Sequence, residues 1–335
     1  VIAGGTPGHG RDDLLRGNGR STMGNILDGR RLSEEIRKQV AREVRTLNAT
    51  GVAVGLSLML VGDNPASVQY FEATLKACRK TGITAYEIRL PEKATVNEIL
   101  NEINKINADE RIHGLLVLMP LSPHINARRI INHIAPEKDI DGLGAISVGR
   151  LAAEESSFQL FSSEGGGIVQ RSRHIQAIWS FLPCTPFGVI RLLERNQVQI
   201  RGKHVVIIGK GLAVGKPLSM MFLAKEATVT VCHKSTPDLA SLTRQADILC
   251  SATGRAGLIT GEMVKGGAVV VDIGINVLSD GTITGDVDFP SVSEKASLIT
   301  PVPGGVGPVT IAMLLENTLR SAQRSELYKS PLTIG

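Results

Sequence analysis

The sequence predicts two α/β domains in series with a cleft between them. Three observations carry that reading. The 335 residues are too many for one ordinary hydrophobic core and suit two domains of common size. Short apolar runs alternate with helical periodicity through both halves, as in parallel strands covered by helices on both faces. The second half also opens with a buried run, a glycine-rich turn and a helix.

The elements follow in chain order. Leu32, Ile36, Val40, Val44 and Leu47 recur at helical spacing behind Asp28, an N-cap residue by type. The apolar run 54–61, ended by Gly62-Asp63-Asn64-Pro65, reads as a buried strand and turn. A helix over 66–80, a strand over 84–90, a helix over 96–106 and a very apolar strand over 114–119 complete the first alternation, which Pro120 closes. In the second half strands are expected over 205–208, 228–232, 248–251 and 268–273, with a helix over 218–224. The first domain is assigned 24–145, completed by a last helix over 308–323, and the second 146–307.

Two stretches stand apart. Residues 1–23 are rich in glycine and arginine and lack an apolar run of signal-peptide length. They read as a disordered tail or upstream translation, and Asp12 and Asp13 argue against a transit peptide without excluding organellar targeting. Residues 159–181 contain Ser162-Ser163-Glu164-Gly165-Gly166-Gly167, a basic piece over 171–174 and Trp179, the only tryptophan. Their composition reads as a mobile insertion, with a lid near the cleft as the alternative.

Composition sets limits on function. A net charge of +5 invites nucleic acid as a partner, but the basic residues are scattered among acids and aromatics make up 3%, which leaves little to stack on bases. No apolar run is long enough to span a bilayer, so no membrane partner is expected. Cys78, Cys184, Cys232 and Cys250 are far apart with no CxxC pair. That spacing argues against a disulfide framework or a metal site and fits a reducing, cytoplasmic setting.

Gly209-Lys210-Gly211-Leu212-Ala213-Val214-Gly215-Lys216-Pro217 lies between a buried strand and a helix. Such a turn needs glycine to bend tightly and to bring backbone N–H groups against a diphosphate at a helix N-terminus. The second domain is therefore read as a Rossmann-type dinucleotide-binding domain, although the spacing is GxGxxxG rather than GxGxxG. The next strand ends in His233-Lys234-Ser235-Thr236, with no acid to hold a ribose 2′-hydroxyl. Lys210 and Lys234 favour a 2′-phosphate instead, so NADP is the expected cofactor.

Four blocks carry a family resemblance: Val61-Gly62-Asp63-Asn64-Pro65-Ala66-Ser67 with Tyr70; Pro136-Glu137-Lys138-Asp139-Ile140-Asp141-Gly142; the glycine-rich turn; and Thr300-Pro301-Val302-Pro303-Gly304-Gly305-Val306-Gly307-Pro308, which follows Gly285-Asp286-Val287-Asp288-Phe289. With them the chain resembles the methylenetetrahydrofolate dehydrogenase/cyclohydrolases over about residues 25–323. Removing the insertion restores that family's spacing before Pro183-Cys184-Thr185-Pro186.

The resemblance implies that the first domain and the last helix form the folate side of the cleft, that the second domain supplies NADP, and that the protein is a homodimer through the second domain. It makes Tyr70 and Asp141 the catalytic pair, Tyr70 stacking on the p-aminobenzoyl ring and Asp141 binding the pteridine amino group and ring nitrogen. It implies that Pro303, Gly304, Gly305, Val306 and Gly307 let backbone pass close to folate and nicotinamide, and that the backbone of Ile275 meets the nicotinamide end. Gly209, Lys210, Gly211, Val214, Gly215, Pro217, His233, Lys234 and Thr310 complete the implied cofactor contacts.

Two substrate-site positions depart from the family. Bifunctional members carry a lysine one helical turn after the tyrosine, where this chain has Thr74. Lys76 is not expected to replace it, being about 200° further around the helix. The family's Val-Gln-Leu-Pro reads here Val117-Leu118-Met119-Pro120, so Leu118 stands where a glutamine would tune that lysine. Hydride loss from a carbon between two nitrogens needs orientation more than proton transfer, whereas hydrolysis of the resulting cation needs an activated water. The expected activity is NADP-dependent oxidation of methylene-tetrahydrofolate in one-carbon metabolism, with cyclohydrolase activity weak or lost. The rivals are a still bifunctional enzyme, a non-catalytic folate- or nucleotide-binding homologue, and a dehydrogenase acting on a modified folate.

Overall fold

The computed structural model describes residues 25–153 and 180–329. The expected tail at 1–23 and all but the last two residues of the expected insertion lie outside them.

The chain begins with a short strand β1 (Asn25–Ile26) and helix α1 (Gly29–Ala49). An alternation follows of β2 (Gly55–Val61), α2 (Pro65–Thr81), β3 (Thr84–Leu90), α3 (Val96–Ala108) and β4 (Gly114–Val117). Short helices α4 (Ala127–Ile131) and α5 (Ala145–Ala152) complete the first described stretch. β2, β3 and β4 form a parallel sheet in the order β3-β2-β4, with Met59 opposite Ile88 and Val117. β2 is buried along its whole length because both faces are covered. Leu56, Leu58 and Leu60 join the core that includes α1 and α2, and Met59 and Val61 join Ile99 and Ile103 of α3. The Asn64 side chain caps α2 by accepting from the N–H groups of Ala66 and Ser67, and Gly82, at φ 80°, ends it. These two ends fix the register of the helix that carries Tyr70.

The second stretch contains α6 (Cys184–Arg195), β5 (His204–Ile208), α7 (Gly215–Ala224), β6 (Thr228–Cys232), α8 (Leu239–Thr243), β7 (Ile248–Ser251) and β8 (Val269–Asp272). A small hairpin of β9 (Asn276–Val277) and β10 (Ile283–Thr284), then α9 (Phe289–Ser293), β11 (Leu298–Ile299) and α10 (Val306–Lys329), complete it. The larger sheet is parallel and ordered β1-β11-β8-β7-β5-β6. Strand order reverses at β5, between β6 and β7, which is where doubly wound sheets receive nucleotides.

Three features correct the expected domain plan. β1 pairs with β11, Asn25 opposite Leu298 and Ile26 opposite Ile299, so the first described residues belong to the second domain's sheet. α6 was not anticipated, although it is amphipathic: eight of its residues, including Phe187, Val189, Ile190, Leu192 and Leu193, are buried, and Arg191, Glu194 and Arg195 share the opposite, more exposed side. Ser180 and Phe181, assigned to the insertion, are buried, and Phe181 belongs to the main core.

α10 binds the two halves together. It packs on α1 and α6, and Asn317 donates to the carbonyls of Ile140 at 2.8 Å and Leu182 at 3.3 Å. Among the described residues no helix is long and apolar enough to cross a membrane.

Candidate active site

A cleft of about 470 Å³ opens where α1, α2, the end of β8 and the loop before α10 meet. It brings together Tyr70, Ile275 and the run Pro303, Gly304, Gly305, Val306 and Gly307. That loop is locked to the start of α1. The N–H of Arg30 donates to the Gly304 carbonyl at 3.1 Å, and a Cβ on Gly29 would lie 1.8 Å from the Gly305 oxygen. Gly304 has φ 123°, a conformation that L side chains rarely adopt. The glycines therefore hold backbone, rather than side chains, against the cleft.

α2 presents Ala66, Gln69, Tyr70, Ala73, Lys76, Ala77 and Lys80 to this cleft. At 100° per residue these positions fill an arc of about 120°, and Thr74 falls about 40° beyond its edge, on the core side. Thr74 is fully buried and its hydroxyl donates to the Tyr70 carbonyl at 2.8 Å. Leu118 is 3% exposed and belongs to the main core. Neither lines the cleft, contrary to their expected place at the substrate. Lys76 does line it, contrary to expectation: it lies about 200° from Thr74 but only about 60° from Ala73, the centre of the cleft face.

Asp141 is half-buried just after Ile140 and beside Cys184. Burial, reinforced by the neighbouring charge of Asp139, pushes its carboxyl up to about 7, against the opposing hydrogen bonds from Cys184. Asp139 is itself raised to about 6 by burial, although Ser147 Oγ donates to it at 2.7 Å and the N–H groups of Gly144 and Leu143 at 2.9 and 3.2 Å. The Tyr70 phenol is held well above its ordinary range, first by burial and then by the charges of Asp141 and Cys184. The same interaction links Tyr70 and Asp141 electrostatically although Asp141 does not line the open cleft. Near neutral pH this corner thus offers a neutral phenol and a carboxyl present in both protonation states.

The floor beside Ile275 rests on two buried carboxylates without an ion-pair partner among the described residues. Asp272 accepts from the N–H groups of Gly274, Asp286 and Val287 at 3.1, 3.0 and 2.9 Å. Asp286 accepts from Ser251 Oγ, Thr253 N and Oγ1, Arg255 N and Asn276 Nδ2. A Cβ on Gly285 would fall 1.8 Å from Asp272, and one on Gly274 2.1 Å from Asp286. Each glycine makes room for the other strand's carboxylate, and the segment between them carries Ile275, 52% exposed. Sequence reasoning passed over this pair; its signal was the spacing of Asp272-Ile273-Gly274 and Gly285-Asp286.

At the switch point, Gly209 has φ 108° and its N–H donates to the Cys232 carbonyl at 2.9 Å, joining the turn to the end of β6. A Cβ on Gly209 would meet the Ala252 oxygen at 2.3 Å, and one on Gly215 the Gly209 oxygen at 1.9 Å. Gly211 faces open space. Val214 is the N-cap residue of α7 and Pro217 is buried in its first turn. Lys210 and Lys234 are exposed on the turns that follow β5 and β6. His233 Nδ1 accepts from the Ser235 N–H at 3.2 Å, which leaves Nε2 to carry the ring proton. Thr310 is not part of this group: its hydroxyl donates to Thr185 Oγ1 and the Val306 carbonyl, bracing α10 against α6.

Two family models match the chain. "Tetrahydrofolate dehydrogenase/cyclohydrolase, catalytic domain" covers residues 27–141, and "Tetrahydrofolate dehydrogenase/cyclohydrolase, NAD(P)-binding domain" covers residues 183–326. A "Bifunctional protein FolD" of Wolinella succinogenes is 47% identical over 299 residues, 89% of this chain and 96% of that protein. The crystal structure of the bifunctional enzyme FolD from Campylobacter jejuni superposes with a TM-score of 0.80 at 44% identity, covering 90% of this chain and 99% of the other. The Trypanosoma brucei enzyme, solved with NADP and an inhibitor, gives a TM-score of 0.80 at 35% identity over 90% and 98% of the two chains.

Proposed function

The chain belongs to the tetrahydrofolate dehydrogenase/cyclohydrolase family, and on that premise we propose that it oxidises 5,10-methylenetetrahydrofolate to 5,10-methenyltetrahydrofolate with NADP and hydrolyses the product weakly or not at all. The observation that carries this reading is a single cleft walled by Tyr70 on one side and by Ile275 and the 303–307 loop on the other.

NADP, when bound, supplies the hydride acceptor. Gly209, Gly211 and Gly215 fit it, because two of them admit no side chain and the third leaves open space before the N-terminus of α7. Lys210 and Lys234 would face the 2′-phosphate beside His233, and the Ile275 backbone the nicotinamide end. On the folate side the neutral Tyr70 ring offers a face to the p-aminobenzoyl group. Asp141, with its carboxyl near 7, accepts from or donates to the pteridine edge. None of these groups has to move a proton for hydride to leave, since the product cation is stabilised by its two flanking nitrogens.

Hydrolysis makes a different demand. With Thr74 turned into the core and Leu118 apolar, neither position supplies the amine or the amide that would orient and deprotonate water, and of the α2 residues that line the cleft only Gln69 and Lys76 carry such groups near Tyr70. One observation favours a bifunctional enzyme instead: Lys76 stands in the same cleft. A single assay with methylene-tetrahydrofolate and NADP, following methenyl formation and its hydrolysis separately, tests the two readings. Rapid appearance and persistence of the methenyl product supports the first.

We further place the protein in the cytoplasm, supported by four buried, unpaired cysteines that suit a reducing compartment. A homodimer through the second domain is supported by β6, the edge strand of its sheet, where Val231 is 37% exposed.

A further inference from the structure

One helix, α10, reaches both the glycine loop and the segment that carries Asp141. It starts at Val306, inside that loop, and Asn317 stands three turns further on, about 16 Å along its axis. Asn317 is 2% exposed. Its amide has two N–H bonds, and each finds a backbone acceptor: Ile140 at 2.8 Å and Leu182 at 3.3 Å, with Cys184 Sγ at 3.5 Å beside them.

These acceptors belong to two segments that pass each other at Gly142. Gly142 has φ 67°, and a Cβ there would lie 2.5 Å from the Phe181 oxygen. The Cys184 N–H donates to the Asp141 carbonyl at 3.4 Å, and the Cys184 thiol to the Ile140 carbonyl at 3.2 Å. The Ile140 oxygen thus receives two donors, which uses both of its lone pairs. The Ile140 side chain is also fixed: it is fully buried, and a Cβ on Gly114 would meet its Cγ1 at 2.6 Å. Because the peptide unit is planar, holding the Ile140 carbonyl also holds the N–Cα bond from which Asp141 projects. The amide grips backbone next to Asp141 rather than the carboxylate itself.

We infer that Asn317 is a positioning residue for folate: it holds the Ile140–Asp141 peptide so that the Asp141 carboxyl faces the pteridine edge. The inference rests on the reading of Asp141 as a folate ligand. An amide suits the task because its two donors leave one nitrogen at a fixed angle, which a hydroxyl does not provide. Ser321, one turn on, supplies a comparison. Its hydroxyl donates to the Glu137 carbonyl at 2.8 Å, bracing the same segment three residues before Ile140.

The test is steady-state dehydrogenase kinetics of the full chain with methylene-tetrahydrofolate and NADP, in Asn317→Ala, Ser321→Ala, Asp141→Asn and Asn317→Ala/Asp141→Asn. Asn317→Ala should raise the KM for the folate on the order of tenfold, the worth of one hydrogen bond to a charged group, and leave the KM for NADP unchanged. Ser321→Ala should lower the melting temperature but leave both KM values in place. Asp141→Asn should raise the folate KM, and adding Asn317→Ala to it should raise it little further, because the two changes act on one contact. Asn317→Ser, with one donor on a shorter arm, should show a smaller rise, and it carries the test where the alanine variant does not fold. An unchanged folate KM in whichever Asn317 variant folds would overturn the positioning role, as would an equal further rise in the Asp141→Asn background. Both results leave the folate reading in place. An unchanged folate KM in Asp141→Asn would overturn the two together.

Discussion

The hydroxyl of Thr74 donates to the carbonyl oxygen of Tyr70, 2.8 Å away and one turn earlier on α2. The side chain spends its donor on its own helix and has no exposure to the cleft. Thr74→Lys therefore has to bring an ammonium out of a fully buried position on the core side of α2. Thermal unfolding should show the single variant destabilised by about 1–3 kcal/mol, the range for burying an imperfectly partnered polar group. Adding Leu118→Gln should return part of that loss. An unchanged melting temperature for Thr74→Lys would mean that the position opens freely to the cleft.

The Asp141 carboxyl, raised to about 7, sets a pH dependence whose sign is fixed. Unfolding frees the group to its ordinary value near 3.8, so the folded chain holds the extra proton between roughly pH 4 and 7. Its contribution to stability is complete below pH 4 and declines as pH rises through 7. Asp141→Asn should flatten the fall in stability across this window, as followed by denaturation at several pH values. Folate affinity should titrate in the same region with Asp139 coupled to it, and the variant should lose that titration. A variant whose profile matches the unmodified chain would show that another group titrates there.

Gly285 and Asp272 give a test of the floor beneath Ile275. A methyl at 285 would lie 1.8 Å from the Asp272 carboxylate, too close for either to stay in place. Gly285→Ala should lower stability and raise the KM for NADP, because the segment to Ile275 is displaced with it. Asp272→Asn keeps the shape but replaces one accepting oxygen with a donor, facing N–H groups from Gly274, Asp286 and Val287. It should show a smaller change in the same direction. NADP kinetics indistinguishable from the unmodified chain in both variants would detach this pair from the cofactor.

Cofactor choice is tested at Lys210 and Lys234. NADP should be used with higher kcat/KM than NAD, and removing both lysines should narrow the ratio by lowering the NADP value alone. Equal efficiency with NAD in the unmodified chain would contradict the assignment.

Much of the fold was legible because strands buried on both faces read as continuous apolar runs. The strands over 84–90, 228–232 and 248–251 have the expected ends, and those over 54–61, 114–119, 205–208 and 268–273 begin or end within two residues of them. α6 was missed although its period is present, with Arg191, Glu194 and Arg195 on one polar side, because Pro183 and Pro186 punctuate its start as they would a loop. β1 was missed because its meaning lies in a partner, β11, some 270 residues away. At the site, Tyr70 and the 303–307 loop could be placed together from motifs, whereas the inward turn of Thr74 and the cleftward reach of Lys76 depend on which arc of α2 meets the cleft. The bracing of α10 against α6 by the Thr310 hydroxyl was not legible, because its partner Thr185 lies 125 residues away in the chain.

The central claim is the separation of two chemistries within one cleft, and direct hydrolysis of purified 5,10-methenyltetrahydrofolate tests it most plainly. The unmodified chain should not accelerate this reaction appreciably over buffer, since losing a placed acid–base group typically costs about 10²–10⁴-fold. Thr74→Lys with Leu118→Gln should recover hydrolysis well beyond the sum of the single changes, as groups acting as a unit do. Rapid hydrolysis by the unmodified chain would contradict the account, and loss of that rate in Lys76→Ala would identify the amine responsible.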